Sequence, residues 1–340
     1  MPMEIVSHDM NIDFLGRRSL WIGLSGLVIA LGIAATLLWG MPVGIDFAGG
    51  TEFQLRFDPG VTADEAQLRA VAVGAGFLDA EVVRFGEADS ADFLIKFKAL
   101  PEDEMAAAAA GEADGLAANT RVARLQSAIR ESIGSFVEQR VEFVGPKVGA
   151  DLRRDGANAM LMSAIAILIY IAFRFSSRYA PGAVVALIHD VLVTSGILVV
   201  ANHLGLRVEF DLQVLAALLA IVGYSLNDTI IIYDRIRENL ELQPTADLES
   251  VLNLSVNQTM SRTVLTAGTT LLAVLALLIF GGDVIFPFSF TMLIGIVVGT
   301  YSSVFIAAPI LLFLERRYGG TKGKPGTLAR GGATVKRARA

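Results

Sequence analysis

The sequence contains no cysteine and only three histidines in 340 residues. Without a thiol there is no disulfide, no cysteine nucleophile and no thiolate metal site, which fits a bacterial envelope protein. The histidines show no metal-ligand spacing and belong to no Ser/His/Asp set, and no Walker-type phosphate loop occurs. No cofactor and no enzymatic activity are therefore expected. The net charge is −6, acids crowd residues 46–155, and only the C-terminal tail is nearly pure base, so nucleic acid is not an expected partner.

Apolar sequence is what the chain has in quantity. Hydrophobic residues make up 54% of it, and the mean hydropathy is +0.57. Six apolar segments, at about 20–39, 157–173, 182–201, 212–233, 264–280 and 287–314, approach the ~20 residues that cross ~30 Å of hydrocarbon. They predict an α-helical membrane protein with six transmembrane helices. The first run is too long for a signal-peptide core and lacks a small-residue cleavage site, so it reads as an uncleaved anchor.

Orientation follows from the basic residues in the connections. Arg17 and Arg18 precede the first span, Arg174 and Arg178 lie between the second and third, and Arg235 and Arg237 follow the fourth. Arg316, Arg317, Lys322 and Lys324 follow the sixth, whereas the opposite connections hold only Arg207. This predicts a multi-pass membrane protein with both termini cytoplasmic. The organisation expected is a cytoplasmic N-terminus at 1–19, a first span at 20–39, a periplasmic domain at 43–150, spans two to six within 151–314, and a basic disordered tail at 315–340.

The outer segment reads as a folded domain. "TEFQLRF", "AEVVRF", "DFLIKF" and "VEQRVEFVG" alternate as strands. "TADEAQLRAVAVGAG", with Thr62 or Asp64 as its cap, and "LAANTRVARLQSAIRESIGS" repeat as helices. The order βαββαβ predicts a ferredoxin-like fold between the first and second spans. The acidic stretch "PEDEMAAAAAGEADG" reads as a loop, with an Ala-rich helix as the alternative. Gly49 and Gly50 lack the Gly-Lys-Ser/Thr ending of a phosphate cradle and instead suggest a tight backbone approach. In the cytoplasmic connection at 234–262, Leu248, Val251, Leu252 and Val256 recur at helical spacing after Pro244. That helix either lies on the membrane face or packs on the ends of neighbouring spans.

Polar residues inside the spans are the candidate site. Asp190 and Asp228 each lie roughly 10–14 Å below the cytoplasmic surface at ~1.5 Å per residue, with His189 and Asn227 at the same depth. Arg262 stands at the start of the fifth span, within plausible reach of Asp228 on an antiparallel neighbour. A lone acid at mid-membrane costs on the order of 2.5–3.5 kcal/mol, and 100 mV acting on one charge supplies about 2.3 kcal/mol. A membrane potential is therefore large enough to bias such a group, which makes Asp228, Arg262, Asp190, Asn227 and His189 candidates for a proton relay. A permanent structural ion pair, helix cross-linking through Asn227 and Asp228, or a cationic-substrate site are the other roles open to them. Thr266, Thr269, Thr270, Ser289, Thr291, Thr300, Ser302 and Ser303 read as helix-packing residues, as does the small-residue pair Gly295 and Gly299.

Five motifs in order carry a family resemblance: "VGIDFAGGTEFQLRF", "VGPKVGADLRRDGANAM", "ALIHDVLVT", "IVGYSLNDTIIIYDRIREN" and "SRTVLTAGTTLLAVLALLIFGGD". From about residue 15 to 318 the chain resembles the SecD/SecF family of protein-export membrane proteins, in the resistance-nodulation-division superfamily. The short outer domain and the Ser-Leu-Asn-Asp-Thr run resemble its SecF branch. The resemblance implies half of a transporter of that type in the bacterial inner (cytoplasmic) membrane, which joins SecD to form the proton pathway and assists the SecYEG channel. It implies use of the proton-motive force to draw out exported unfolded polypeptides, with YajC a further candidate partner. It assigns the essential proton-handling acid to Asp228, the arginine of the Ser-Arg-Thr motif to Arg262 and the third-span acid to Asp190. Two other functions remain open: a related half-transporter moving lipids or hydrophobic molecules, and a non-transporting translocon scaffold.

Overall fold

The computed structural model describes residues 11–85, 91–98, 114–174, 179–206 and 208–318. The acidic stretch up to residue 113, the tail beyond 318, and Arg178 and Arg207 lie outside them. In chain order the first elements are α1 (Arg18–Trp39), α2 (Ile45–Ala48), β1 (Gly50–Phe57), α3 (Glu65–Gly74), β2 (Glu81–Phe85), β3 (Asp92–Lys98), α4 (Asp114–Ser132) and β4 (Phe136–Val144). There follow α5 (Pro146–Arg174), α6 (Ala180–His203), α7 (Leu212–Leu242), α8 (Leu248–Phe280) and α9 (Gly282–Ser302). A π-helical segment, Ser303–Ala307, then leads into α10 (Ala308–Tyr318). Six of the described helical stretches are long and apolar enough to cross a membrane, the last running through α9, the π segment and α10. Two compact units result, one of residues 42–158 with 209–212 and one of the remainder.

In the smaller unit the sheet order is β2-β3-β1-β4, with every neighbouring pair antiparallel, the ferredoxin-like arrangement. Alternation puts Phe53, Leu55 and Phe57 of β1 and Phe93, Ile95 and Phe97 of β3 on one face. That face is buried against Leu68 and Ala72 of α3 and Val122, Leu125 and Ile129 of α4. Asp64, not Thr62, starts α3, its carboxylate accepting from Gln67 N at 2.7 Å. Gly49 has φ +75°, and a Cβ there would lie 3.0 Å from Pro146 Cα; one on Gly50 would lie 2.9 Å from Phe97 O. The double glycine thus serves the close backbone approach expected of it.

Residues 209–212, which lead into α7, belong to this unit. Phe210 N donates to Pro42 O at 2.7 Å, Gly44 N donates to Phe210 O at 3.0 Å, and Asp46 accepts from Leu212 N at 3.0 Å. Lys96 Nζ sits 2.9 Å from Glu209 and 3.8 Å from Glu52.

Among the spans, α1 crosses α6 at a glycine pair. A Cβ on Gly196 would lie 2.8 Å from Gly32 Cα, so only glycine permits the backbones to approach this closely. Farther along the same pair, the Trp39 ring stacks on His203 with centroids 3.8 Å apart. Helix α8 starts at Leu248, well before its apolar run. Val251, Leu252 and Val256 are buried with Leu15, Tyr233, Ile236 and Leu240, so the amphipathic stretch packs on neighbouring helix ends. Two asparagines of α8 hold the chain ahead of α1: Asn257 accepts from Ile12 N and Asn253 from Phe14 N, each at 2.9 Å. Glu249 accepts from both Arg18 and Arg316 at 2.5 Å.

Candidate functional site

Three helices converge on Asp190, which is fully buried at 0% exposure. Its Oδ1 lies 3.0 Å from His189 Nδ1 on α6. Its Oδ2 accepts from Ser225 Oγ of α7 at 2.5 Å and from Ser302 Oγ of α9 at 2.8 Å. The small residues of α9 make this possible. A Cβ on Gly299 would lie 2.9 Å from Ser225 Cβ, and one on Gly295 would overlap the Ile221 side chain. The Gly295/Gly299 face therefore lets α9 lie against α7 and carries Ser302 to the carboxylate. The π segment starts directly after Ser302, and its Ala307 carbonyl accepts from the Tyr233 hydroxyl at 3.3 Å. Such segments recur at functional sites.

Asp228 lies one turn beyond Ser225 on α7 and is 1% exposed. Both of its carboxyl oxygens are buried and make no hydrogen bond among the described residues. Arg262 on α8 is the cation that acts on it electrostatically, beyond the 4.0 Å of a direct ion pair. A buried acid with no hydrogen bond is costly, and that cost falls when its charge can be exchanged or compensated.

The structure therefore joins some of the predicted residues and separates others. Asp190 and His189 touch each other, and α7 links them through Ser225 to the turn that carries Asp228. Arg262 has an exposed side chain, and Asn227 points to the exposed side of α7, away from the buried Asp228. His189 Nε2 is buried with no hydrogen-bond partner among the described residues.

Ser225 and Ser302 escaped the sequence reading. Ser302 sat among hydroxyls assigned to packing, and Thr269, Thr270, Thr291 and Ser303 do donate to carbonyls of their own helices. The available signal was register: Ser302 falls one turn past Gly299 on the small-residue face, and Ser225 one turn before Asp228.

A second charged cluster lies in the smaller unit. Burial alone would lower the Lys96 ammonium, but Glu209 and Glu52 together hold it above its ordinary value. Burial raises the Glu52 carboxyl; Lys96 opposes that rise, and Glu142 and Glu209 add to it.

An antiparallel α/β domain that follows the first of six candidate spans, and a buried polar centre shared by three of them, define the class as a multi-pass membrane protein. A family model for the C-terminal part of the protein export membrane proteins SecD/SecF matches residues 124–317, and the SecD/SecF GG motif matches residues 40–61. The chain belongs to the SecD/SecF family of protein export membrane proteins, and its role is in protein export, not in an enzymatic reaction.

Its relatives include the protein translocase subunit SecF of Calditerrivibrio nitroreducens, 38% identical over 92% of this chain and 97% of the relative. That of Pseudomonas aeruginosa is 40% identical over 90% of this chain and 92% of the relative. The crystal structure of SecDF from Thermus thermophilus, a translocon-associated membrane protein, superposes with a TM-score of 0.76 at 32% identity. The likeness covers 93% of this chain and 40% of that one, so the chain spans well under half of the solved SecDF protein. A SecDF structure in a super-membrane-facing form gives a TM-score of 0.64 at 33% identity, with the same coverage.

Proposed function

We propose that this chain is the SecF-type half of a proton-driven export machine, and that Asp228 is the group through which protons act. One observation carries the reading: a fully buried aspartate has no hydrogen-bond partner among the described residues, and an arginine on the neighbouring span lies within electrostatic reach. A permanent structural ion pair would be in contact, which this pair is not. Ionised, Asp228 is stabilised by Arg262; protonated, it loses the need for that partner, and the helices bearing the two are free to rearrange.

The solved SecDF protein is more than twice the length of this chain, which supports SecD as the partner that supplies the other six-span half. The translocase naming of the SecF relatives supports association with the SecYEG channel, with YajC as a further candidate. The basic connections support a bacterial inner-membrane protein with both termini cytoplasmic and the α/β domain periplasmic, where it meets emerging unfolded polypeptide. The rival reading of a lipid carrier calls for a large apolar cavity in that domain, whose helix-facing side is instead filled by phenylalanine and aliphatic side chains.

Secretion under a controlled proton gradient tests the proposal. Asp228→Asn is expected to remove the gradient-dependent part of export while the complex still assembles. Unchanged export from an assembled complex contradicts it.

A further inference from the structure

Ser225 Oγ and Ser302 Oγ address the same carboxyl oxygen of Asp190, at 2.5 and 2.8 Å. An ionised carboxylate oxygen can accept from both hydroxyls at once. Ser302 has a second option, because its Oγ also lies 3.1 Å from the carbonyl of Gly299 in its own helix. A hydroxyl has one proton to donate and two lone pairs with which to accept, so Ser302 has two satisfied settings. In one it donates to Asp190. In the other it donates to Gly299 O and accepts from a protonated Asp190.

We propose that Asp190 is a second reversible proton-holding site beside Asp228, and that Ser302 is the positioning residue whose hydroxyl turns between Asp190 Oδ2 and Gly299 O as the proton comes and goes. The proposal deepens the reading in which Asp228 handles protons and rests on it. In the step itself an O–H bond forms on Asp190 Oδ2 with a proton supplied by the gradient, and the same bond breaks when the proton leaves. The Ser302 O–H bond stays intact and changes only its direction. Ser225 keeps its hydrogen bond through the remaining lone pair of Oδ2.

The surroundings permit this exchange. His189, on the same helix, is the only ion-pair partner of Asp190 within 4.0 Å among the described residues. Its Nε2 is buried with no hydrogen-bond partner among the described residues, and its Nδ1–H can donate to Oδ1 whether or not Oδ2 carries a proton. From α9, Tyr301 faces His189 with ring centroids 6.0 Å apart, and Tyr301 in turn pairs with Ser25 of α1 at 2.9 Å. From α7 the group that faces Asp190 is the Ser225 hydroxyl; one turn on, Asp228 interacts with Tyr224 of its own helix and with Arg262 of α8. Asp190 thus gains and loses a proton without stranding a buried hydroxyl, which an arrangement with a single acceptor for Ser302 does not allow. Because Ser225 and Asp228 share α7, the charge state of either acid bears on the same helix.

Infrared difference spectra of the full chain in its membrane complex, recorded between about pH 5 and 9, test the inference. A protonated-carboxyl band that responds to pH is expected in the parent and absent in Asp190→Asn. That band is expected to shift in frequency in Ser302→Ala, which removes a hydrogen-bond partner, and to return in Ser302→Thr, which restores the hydroxyl. If Asp190→Asn does not assemble, the Ser302→Ala and Ser302→Thr pair carries the comparison, since both retain the acid. The absence of any pH-responsive band sensitive to these substitutions makes Asp190 a fixed acceptor and overturns the proposal. A band that ignores Ser302→Ala overturns the role of Ser302. The same spectra on Asp228→Asn keep the two readings apart: loss of export there bears on Asp228, whereas the Asp190 band is expected to persist.

Discussion

Ser225 and Asp228 lie one turn apart on α7, and their side chains meet opposite conditions. The Ser225 hydroxyl is locked to Asp190 at 2.5 Å, while both oxygens of Asp228 are buried without a hydrogen bond among the described residues. One helix therefore carries a satisfied anchor and an unsatisfied acid side by side. Anchoring through Ser225 fixes where Asp228 stands, and in the proposed function the absence of hydrogen bonds among the described residues is what leaves its charge state open to Arg262 and to the proton supply.

Arg262→Ala is expected to lower gradient-dependent export by at least on the order of ten-fold, toward the loss expected of Asp228→Asn, in line with the usual 1–3 kcal/mol of a coupling energy. Combining the two substitutions is expected to add little, because each removes the same interaction. Arg262→Lys keeps the charge and should retain part of the activity. Export rates of the four proteins at matched expression check this. Independent, additive losses speak for two unrelated structural roles, and silent variants speak for a scaffold.

The glycine crossing of α1 and α6 gives a stability prediction. At Gly196 a Cβ would meet backbone at 2.8 Å, which no side-chain rotation relieves. Gly196→Ala should therefore destabilise by about 1–3 kcal/mol and lower the melting temperature of the full chain in detergent. Gly223→Ala is the control, since a Cβ there has nothing within 4 Å. An equal drop for both variants contradicts the close-approach account.

Lys96 and its two glutamates set the pH response of the α/β domain. With Lys96 held above its ordinary value, its contribution is fully present below the ~10.4 of an unfolded lysine and is lost as pH rises through the folded value. Glu52 is also raised, so its contribution is present below ~4.3 and lost as pH rises through its folded value; near neutral pH its charge is a cost. Glu52→Gln is accordingly expected to preserve or increase protection of the β1 and β3 amides at pH ~7. Glu209→Gln, which removes the closer of the two carboxylate charges within 4.0 Å of Lys96 among the described residues, should weaken that protection by about 1–3 kcal/mol. Hydrogen exchange on the full chain separates the two, and a reversed order contradicts the assignment.

Much of this architecture was legible because it rests on periodicity. Apolar runs located all six spans, and alternation located the four strands, since burial of one face demands those spacings. Helix ends were less visible: α7 runs on to Leu242 and α8 begins at Leu248, because polar residues continue a helix where neighbouring ends cover its apolar stripe. The site divided in the same way. Asp228 and Asp190 stood out because acids are expensive in hydrocarbon, whereas Ser225 and Ser302 did not, because a serine in a span usually bonds its own helix. Only the packing of Gly299 against Ser225 aims the two hydroxyls at one carboxyl oxygen. Asn227 shared the depth of Asp228 in the sequence but takes the exposed side of α7, since adjacent helix positions point about 100° apart.

Proton flux through the complex reconstituted in liposomes, followed with an entrapped pH indicator, tests the central claim most directly. The account predicts that an imposed gradient drives flux through the parent complex and that Asp228→Asn reduces it to the background of protein-free liposomes. Flux through Asp228→Asn equal to that of the parent contradicts it.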